Sequence, residues 1–387
     1  MNPFSLLDRE CSVCLIIILM KKISNNKGPK MKVIILRIGM VTAVLAILTI
    51  FVFELYVLIV QREGDSPLPP LFGNSPHVRA ILENQPEKEE FRFAVVGDTK
   101  STGTFERITE ELRKSPLDFA ILLGDCSYKG TESHHRYFRA ECADEYALPF
   151  PVFYVVGNHD VSVDEFPISR FEEVYGPSIF SFEYQGCLFL VLRILNKPFS
   201  NEESIAFLRS HRKRGPGKYR KRFVFMHVPP RISLDFEARQ FVESEELVTL
   251  LSELNVDYIF AGDYHGYAQI RLGTTTYIVT GGGGAHLEHD LFPQFHHAVI
   301  LRVGKDFISE RIIPAARDND FEDRLEKLAI TEVYPWLSQN RVAALVLNAV
   351  MVLSLIVFVR AVLKSAHRVT ARSHRLFNKT VQQSQGQ

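Results

Sequence analysis

Several apolar runs in this sequence end in residues whose side chains bind metals. Asp98 follows Phe91–Val96, Asp125 follows Phe119–Leu123, and Asn158 follows Val152–Val156. His227 comes after Phe223–Phe225, and Asp263 and His265 come after Tyr258–Ala261. Taken singly, each is ordinary. A Gly-Asp after a strand is usually a turn with a capping carboxylate, and a lone His at a strand end is usually a satisfied core residue. Their order and common placement carry the meaning. In an open α/β sheet, ligands bind outside the carboxyl ends of the strands. Five segments therefore deliver carboxylate and amide oxygens and imidazole nitrogens to one sheet edge, a donor set for a cation. Gly157-Asn158-His159-Asp160 adds three polar side chains on a single turn.

The elements that must position these residues alternate. The spacing of Thr104–Lys114 is helical, and so is that of about Asp235 to Leu254, while Leu188–Ile194 is a further apolar run. Later runs, Tyr267–Leu272, Thr276–Thr280, Ala298–Val303 and Phe307–Ile313, lie too close together for helices between them and read as antiparallel strands. Alternation first and consecutive strands afterwards predict an α/β fold of two sheets covered by helices.

With these residues in view, the chain resembles the calcineurin-like metallophosphoesterase superfamily and, within it, the purple acid phosphatase branch. The resemblance spans about Phe91 to Ile313. The branch pattern is GDxG, GDxxY, GNH[ED], VxxH, GHxH. Here it reads Gly97-Asp98-Thr99-Lys100, Gly124-Asp125-Cys126-Ser127-Tyr128, Gly157-Asn158-His159-Asp160, Val224-Phe225-Met226-His227 and Gly262-Asp263-Tyr264-His265. The resemblance implies a two-sheet αββα sandwich and two metal ions drawn from Fe, Mn or Zn. It implies that Asp98, Tyr128 and His265 hold one ion, that Asn158, His227 and Asp263 hold the other, and that Asp125 bridges both. Two such ions clamp a phosphate and lower the pKa of water, so that a metal-bound hydroxide attacks phosphorus. His159 is then expected to protonate the leaving oxygen or steady the phosphate, with Asp160 orienting His159.

Two positions depart from the pattern. Asp263 stands where the branch has His. It either ligates as a harder, more anionic donor, favouring Mn, Fe or Mg, or points away. Lys100 stands where the branch has Gly and much of the superfamily has a His ligand. It offsets the Asp263 charge, touches the substrate phosphate, or is simply solvated. Tyr128 as a phenolate ligand favours trivalent iron; otherwise it is a packing residue.

Two apolar stretches flank this region, Val33–Val60 and Val342–Leu363. A bilayer core needs roughly 20 helical residues, so both read as transmembrane helices. The first is too long for a signal-peptide core and is followed by Gln61-Arg62-Glu63 rather than a cleavage site. Lys21, Lys22, Lys27, Lys30, Lys32 and Arg37 precede or open the first span, and Arg360, Lys364, Arg368, Arg372, Arg375 and Lys379 close or follow the second. The positive-inside rule then puts both termini in the cytoplasm and the central domain on the other side of the bilayer. Trp336 and Tyr334 sit where an interfacial aromatic anchor belongs. The expected division is a basic cytoplasmic segment 1–32, a span 33–60 and a linker 61–90 rich in Pro, Gly and charge. A metallophosphoesterase domain 91–315, a connecting helix 316–341, a span 342–363 and a basic tail 364–387 complete it.

Lys+Arg and Asp+Glu both number 45, so the formal net charge is zero and no global field argues for nucleic acid. Three cysteines, Cys126, Cys142 and Cys187, fall in the central domain and permit at most one disulfide, with Cys126–Cys142 as one pairing. Gly281–Gly284 lacks the Lys-Ser/Thr of a nucleotide loop and reads as a turn near the site. His286, His289, His296 and His297 are pocket-wall or surface residues. Arg212, Lys213, Arg214, Lys218, Arg220, Lys221 and Arg222 are a solvated loop or an attractor of phosphate. No Gly-x-Ser-x-Gly is present, so serine-hydrolase chemistry has no motif. The expected function is hydrolysis of a phosphomonoester or phosphodiester by a membrane-anchored enzyme. The alternative is a catalytically weak phosphate- or metal-binding sensor, or an envelope scaffold on the same fold.

Overall fold

The computed structural model describes residues 29–212, 218–232, 244–287, 293–318 and 321–384. The chain divides into two units, residues 57–336 and residues 1–56 with 337–387.

The larger unit is built on eleven strands: β1 (Phe91–Val96), β2 (Phe119–Leu122), β3 (Val152–Tyr154), β4 (Phe180–Tyr184), β5 (Cys187–Val191), β6 (Arg222–Met226), β7 (Tyr258–Ala261), β8 (Tyr267–Leu272), β9 (Thr275–Thr280), β10 (His297–Val303) and β11 (Ile308–Pro314). They form two mixed sheets, ordered β11-β10-β1-β2-β3 and β4-β5-β6-β7-β9-β8. Within the first, β1, β2 and β3 run parallel; within the second, β5, β6, β7 and β9 do. The four late strands form two antiparallel hairpins, but these belong to different sheets. β8 and β9 extend the second sheet, while β10 returns to pair with β1.

Side chains alternate across a strand with period two, and here both faces of the central strands are apolar. Phe91, Phe93 and Val95 of β1 face a core between the sheets, together with Phe119 and Ile121, Phe189, Phe223 and Phe225. Ala94 and Val96 face outward, against Phe105, Ile108 and Leu112 of the helix Gly103–Arg113. The second sheet repeats this arrangement, with Leu190, Val224 and Ile259 against Leu247 and Leu251 of the helix Ser244–Glu253. This is why the strands read as continuous apolar runs. The result is an αββα sandwich. The inter-sheet layer is aromatic: Phe93 stacks on Phe119 with centroids 4.9 Å apart and planes 4° from parallel. The amino-terminal part of the helix expected over Asp235–Leu254 lies outside the described residues. Three helices that the spacing did not single out, Glu132–Asp144, Ile168–Tyr175 and Glu202–Arg212, complete the layers.

The segment 61–90 is not a free spacer. Phe72, Val78 and Leu82 are buried. Asn74, fully buried, donates from Nδ2 to the carbonyls of Tyr154 and Pro177 and accepts the Tyr154 N–H. It thus satisfies the backbone at the end of β3. Pro and charge in this stretch mark turns around a helix, Pro76–Glu83, that buries Val78 and Leu82.

Two helices, Ile34–Val60 and Arg341–Lys364, are each long and apolar enough to cross a membrane. Leu36, Leu45 and Leu55 on the first and Val342, Leu345 and Leu353 on the second are exposed. The second helix runs on through the basic segment to Ser384. Cys126, Cys142 and Cys187 are buried free thiols, so the Cys126–Cys142 pairing is not formed.

Candidate metal centre

Three of the expected ligands are presented by the same local device. Asp98, Asp125 and Asp263 each follow a strand and a glycine, and each adopts a left-handed backbone, with φ of 57°, 53° and 63°. L-residues other than Asn and Asp rarely visit this region. The reversal turns each carboxylate back over the strand end. Close approach of the loops demands the glycines. A Cβ on Gly124, itself at φ 91°, would lie 2.7 Å from Gly157 Cα, and one on Gly281 would lie 2.7 Å from Asp98 Oδ2. The four-glycine stretch is therefore packed against the site.

His227 stands at the centre. It is fully buried. Its Nδ1–H donates to the Leu123 carbonyl at 2.8 Å, which aims Nε2 at the cluster. Nε2 lies 2.6 Å from Asn158 Oδ1, 3.3 Å from Asp125 Oδ1 and 3.7 Å from Asp263 Oδ1. Burial disfavours a charged imidazole, but the carboxylates of Asp125, Asp98 and Asp263 outweigh it and push the His227 pKa up to about 9. The cluster thus draws a positive charge to this point. Asp98, Asp125 and His227 place one donor atom each within 4.8 Å of one another. Asp98 Oδ1 is buried without a hydrogen-bond donor, 3.4 Å from His265 Nε2. His265 is held like His227, with Nδ1 donating to the His286 carbonyl at 2.7 Å. Oxygen donors, two imidazole nitrogens fixed from behind by carbonyls and an orphaned buried carboxylate oxygen fit a cation.

His159 is placed at the rim. Its N–H donates to Asp125 Oδ1 at 2.8 Å, while its ring is 51% exposed with Nε2 3.9 Å from Asp125 Oδ2. Asp160 does not orient that ring. Its Oδ2 accepts the N–H groups of Asp125 and Gly157 and its Oδ1 that of Ser127, each at 2.8 Å. A carboxylate that accepts from three backbone donors holds the Asp125 and Asn158 loops together, and its contacts are with these backbone groups rather than with the His159 ring. The Asp160 carbonyl accepts from His135 Nε2 at 2.6 Å, and the other nitrogen of His135 meets the Tyr175 hydroxyl at 2.9 Å. Burial holds His135 neutral, near a pKa of about 3. Nothing in the sequence pattern distinguished this supporting histidine.

Tyr128 is not among the gathered residues. Its side chain is 51% exposed, its ring stacks on His134 and carries the Lys327 ammonium 4.1 Å above its centroid. Lys100 is the opposite case. It is buried, and its Nζ makes a 2.5 Å ion pair with Asp125 Oδ2. Burial alone would raise the Asp125 pKa, but the positive charges of His227, Lys100 and His159 bring it down to about 2.

The remaining candidates are ordinary. His297 is a core residue bonded to Thr280 and Phe295, and His296 meets the Gly282 carbonyl. His289, Lys213 and Arg214 lie outside the described residues. Arg212, Lys218 and Lys221 make ion pairs with Glu253, Glu183 and Asp257.

The family model described as calcineurin-like phosphoesterase matches residues 91–267. No curated protein matches the chain in sequence. Among solved structures, the chain is similar to GAP50, the anchor in the inner membrane complex of Plasmodium. Identity is 15%, 63% of this chain and 95% of that one are covered, and the TM-score is 0.47. It is similar to the purple acid phosphatase PPD1 of yellow lupin, Lupinus luteus, at 15% identity over 62% of this chain and 55% of that one, with a TM-score of 0.48. A dimetal phosphatase from Danio rerio shares 12% identity over 58% of this chain and 99% of that one, with a TM-score of 0.44. With the ordered motif set, the two-sheet sandwich and the family match in hand, this chain carries a calcineurin-like metallophosphoesterase domain, flanked by two helices able to cross a membrane.

Proposed function

We propose that this protein is a metal-dependent phosphoric ester hydrolase acting on a phosphomonoester or phosphodiester. Asp98, Asp125, Asn158, His227, Asp263 and His265 form its metal centre. The carrying observation is the convergence on His227 Nε2 of oxygens from three separate loops: 2.6 Å from Asn158, 3.3 Å from Asp125 and 3.7 Å from Asp263. An Fe, Mn or Zn ion, when bound there, polarises a phosphoryl oxygen and lowers the pKa of water. The chain's own residues do the rest. Leu123 and His286 fix the two imidazoles, Asp160 locks the loops, and His159, exposed beside Asp125, is poised to protonate the leaving oxygen or steady the phosphate. Tyr128 has no part in this reading.

The same reading takes the two apolar helices as membrane spans, with the domain on the non-cytoplasmic face and a phosphorylated substrate met there. Full-length protein purified in detergent, assayed with p-nitrophenyl phosphate and its bis-ester in the presence of Mn, Fe or Zn, tests the reaction. Turnover that is lost in Asn158→Ala supports it. Metal binding with no turnover of either ester would favour the second reading, a phosphate- or metal-binding sensor. One observation speaks for that alternative: the ammonium of Lys100 already sits on Asp125.

A further inference from the structure

The two halves of the expected ligand set are unequally built. On one side, Asn158, Asp263 and Asp125 surround His227 Nε2. On the other, where Asp98, Tyr128 and His265 are expected, Tyr128 is exposed beneath Lys327. There too, Lys100 Nζ stands 2.5 Å from Asp125 Oδ2. A carboxylate that bridges two ions needs an oxygen lone pair free to face each of them. In this protein Oδ1 faces His227 and Oδ2 faces an ammonium.

Lys100 is held there by design of the loop. Its backbone N–H donates to the Asp125 carbonyl at 3.0 Å, and its φ of 51° is one that lysine seldom adopts. Its side chain is 8% exposed, and Asp125 is its one hydrogen-bond acceptor among the described residues. A protonated amine has no lone pair for a metal, and its charge opposes a dication beside it.

We propose that Lys100 is the second cation of this centre. The site takes a single metal ion, on the side of Asn158, His227 and Asp263, and the Lys100 ammonium serves Asp125 in place of the other. This rests on the metal-centre reading above and replaces the two ions that the resemblance implies with one ion and one fixed charge.

The test uses full-length protein in detergent, stripped of metal and titrated with Mn(II) alone. Bound Mn is counted by elemental analysis, and its electron paramagnetic resonance spectrum is recorded. The expected wild-type result is one Mn per chain with the spectrum of an isolated ion. Lys100→His, which replaces the ammonium with a donor, is expected to take two Mn and give an exchange-coupled spectrum. Lys100→Asn, neutral and oxygen-bearing, carries the same expectation if the histidine variant does not fold. Two coupled Mn in the wild type would overturn the proposal while leaving the phosphoesterase reading intact. A folded wild type that binds no Mn would overturn both. A variant that folds and still binds one Mn would show that Lys100 is not what excludes the second ion.

Discussion

Asp125 does several jobs that its neighbours do once. It faces His227 through Oδ1, pairs with Lys100 through Oδ2 and accepts the N–H of His159. Removing its charge leaves a buried ammonium without a partner, a change that typically costs about 3–5 kcal/mol. Asp125→Asn is therefore expected to lower the melting temperature and abolish metal binding. Asp125→Asn with Lys100→Met is expected to regain most of the stability and none of the binding. If the double variant melted no higher than the single one, the ion pair would not be the source of the loss. Asp160 belongs to the same scale. Asp160→Asn puts an amide NH₂ against a backbone N–H that the carboxylate now accepts, at a cost of about 1–3 kcal/mol for the orphaned donor. Its effect on turnover is expected to follow from displaced loops, so the pH dependence of turnover should stay where it is in the wild type. A profile shifted along the pH axis would restore the direct Asp160–His159 contact that the geometry lacks.

At the scale of elements, the supports of the site extend beyond the matched motifs. Asn74 satisfies backbone groups at the end of β3, the strand that leads into Asn158. Asn74→Ala should destabilise the domain by about 2–3 kcal/mol, since it orphans buried groups. It should leave metal content per folded chain unchanged, as thermal melts and elemental analysis would show. The helix Glu132–Asp144 carries Glu141, which is 4% exposed. Burial, and then the charges of Glu326 and Asp323, push its carboxyl up to about 8, against the pull of the Tyr137 and Tyr146 hydroxyls. The folded chain therefore keeps a proton that the unfolded chain releases in the ordinary carboxylate range. Stability from this group is full below that range, falls as pH rises, and levels off above about 8. The slope is on the order of 1.4 kcal/mol per pH unit. Glu141→Gln should flatten the decline and melt higher than wild type at pH 8. An unchanged slope would mean that Glu141 is ionised in the fold.

For the whole molecule, the basic residues beside each apolar helix set the expected orientation. The helix Arg341–Ser384 carries Arg360 and Lys364 at the end of its apolar part and remains helical through the basic residues beyond. Ser252 is exposed on the helix Ser244–Glu253, whereas Cys126, Cys142 and Cys187 are buried. A Ser252→Cys substitution, with Cys11 and Cys14 replaced by Ser, should react with a membrane-impermeant maleimide in intact cells. Labelling only after permeabilisation would invert the topology.

The local order of the chain was enough to single out the polar loops that follow the strands. Apolar runs buried on both faces mark parallel strands, and a Gly-Asp or Gly-Asn at four of their ends marks a turn, so the placement of Asp98, Asp125, Asn158, His227, Asp263 and His265 just beyond strand ends was legible in one dimension. Span length and flanking charge were legible for the same reason, because they are properties of contiguous residues. What a side chain does once the loops meet is a different matter. Tyr128 and Asp160 stood at the motif's positions, yet one lies against Lys327 and the other against three backbone N–H groups. The segment 61–90 had the composition of a linker, yet Asn74 and Phe72 are built into the first sheet. Lys100 had three readings in sequence. Only the fold set its ammonium against Asp125, because that contact joins residues 25 positions apart through a left-handed turn that no local pattern announces.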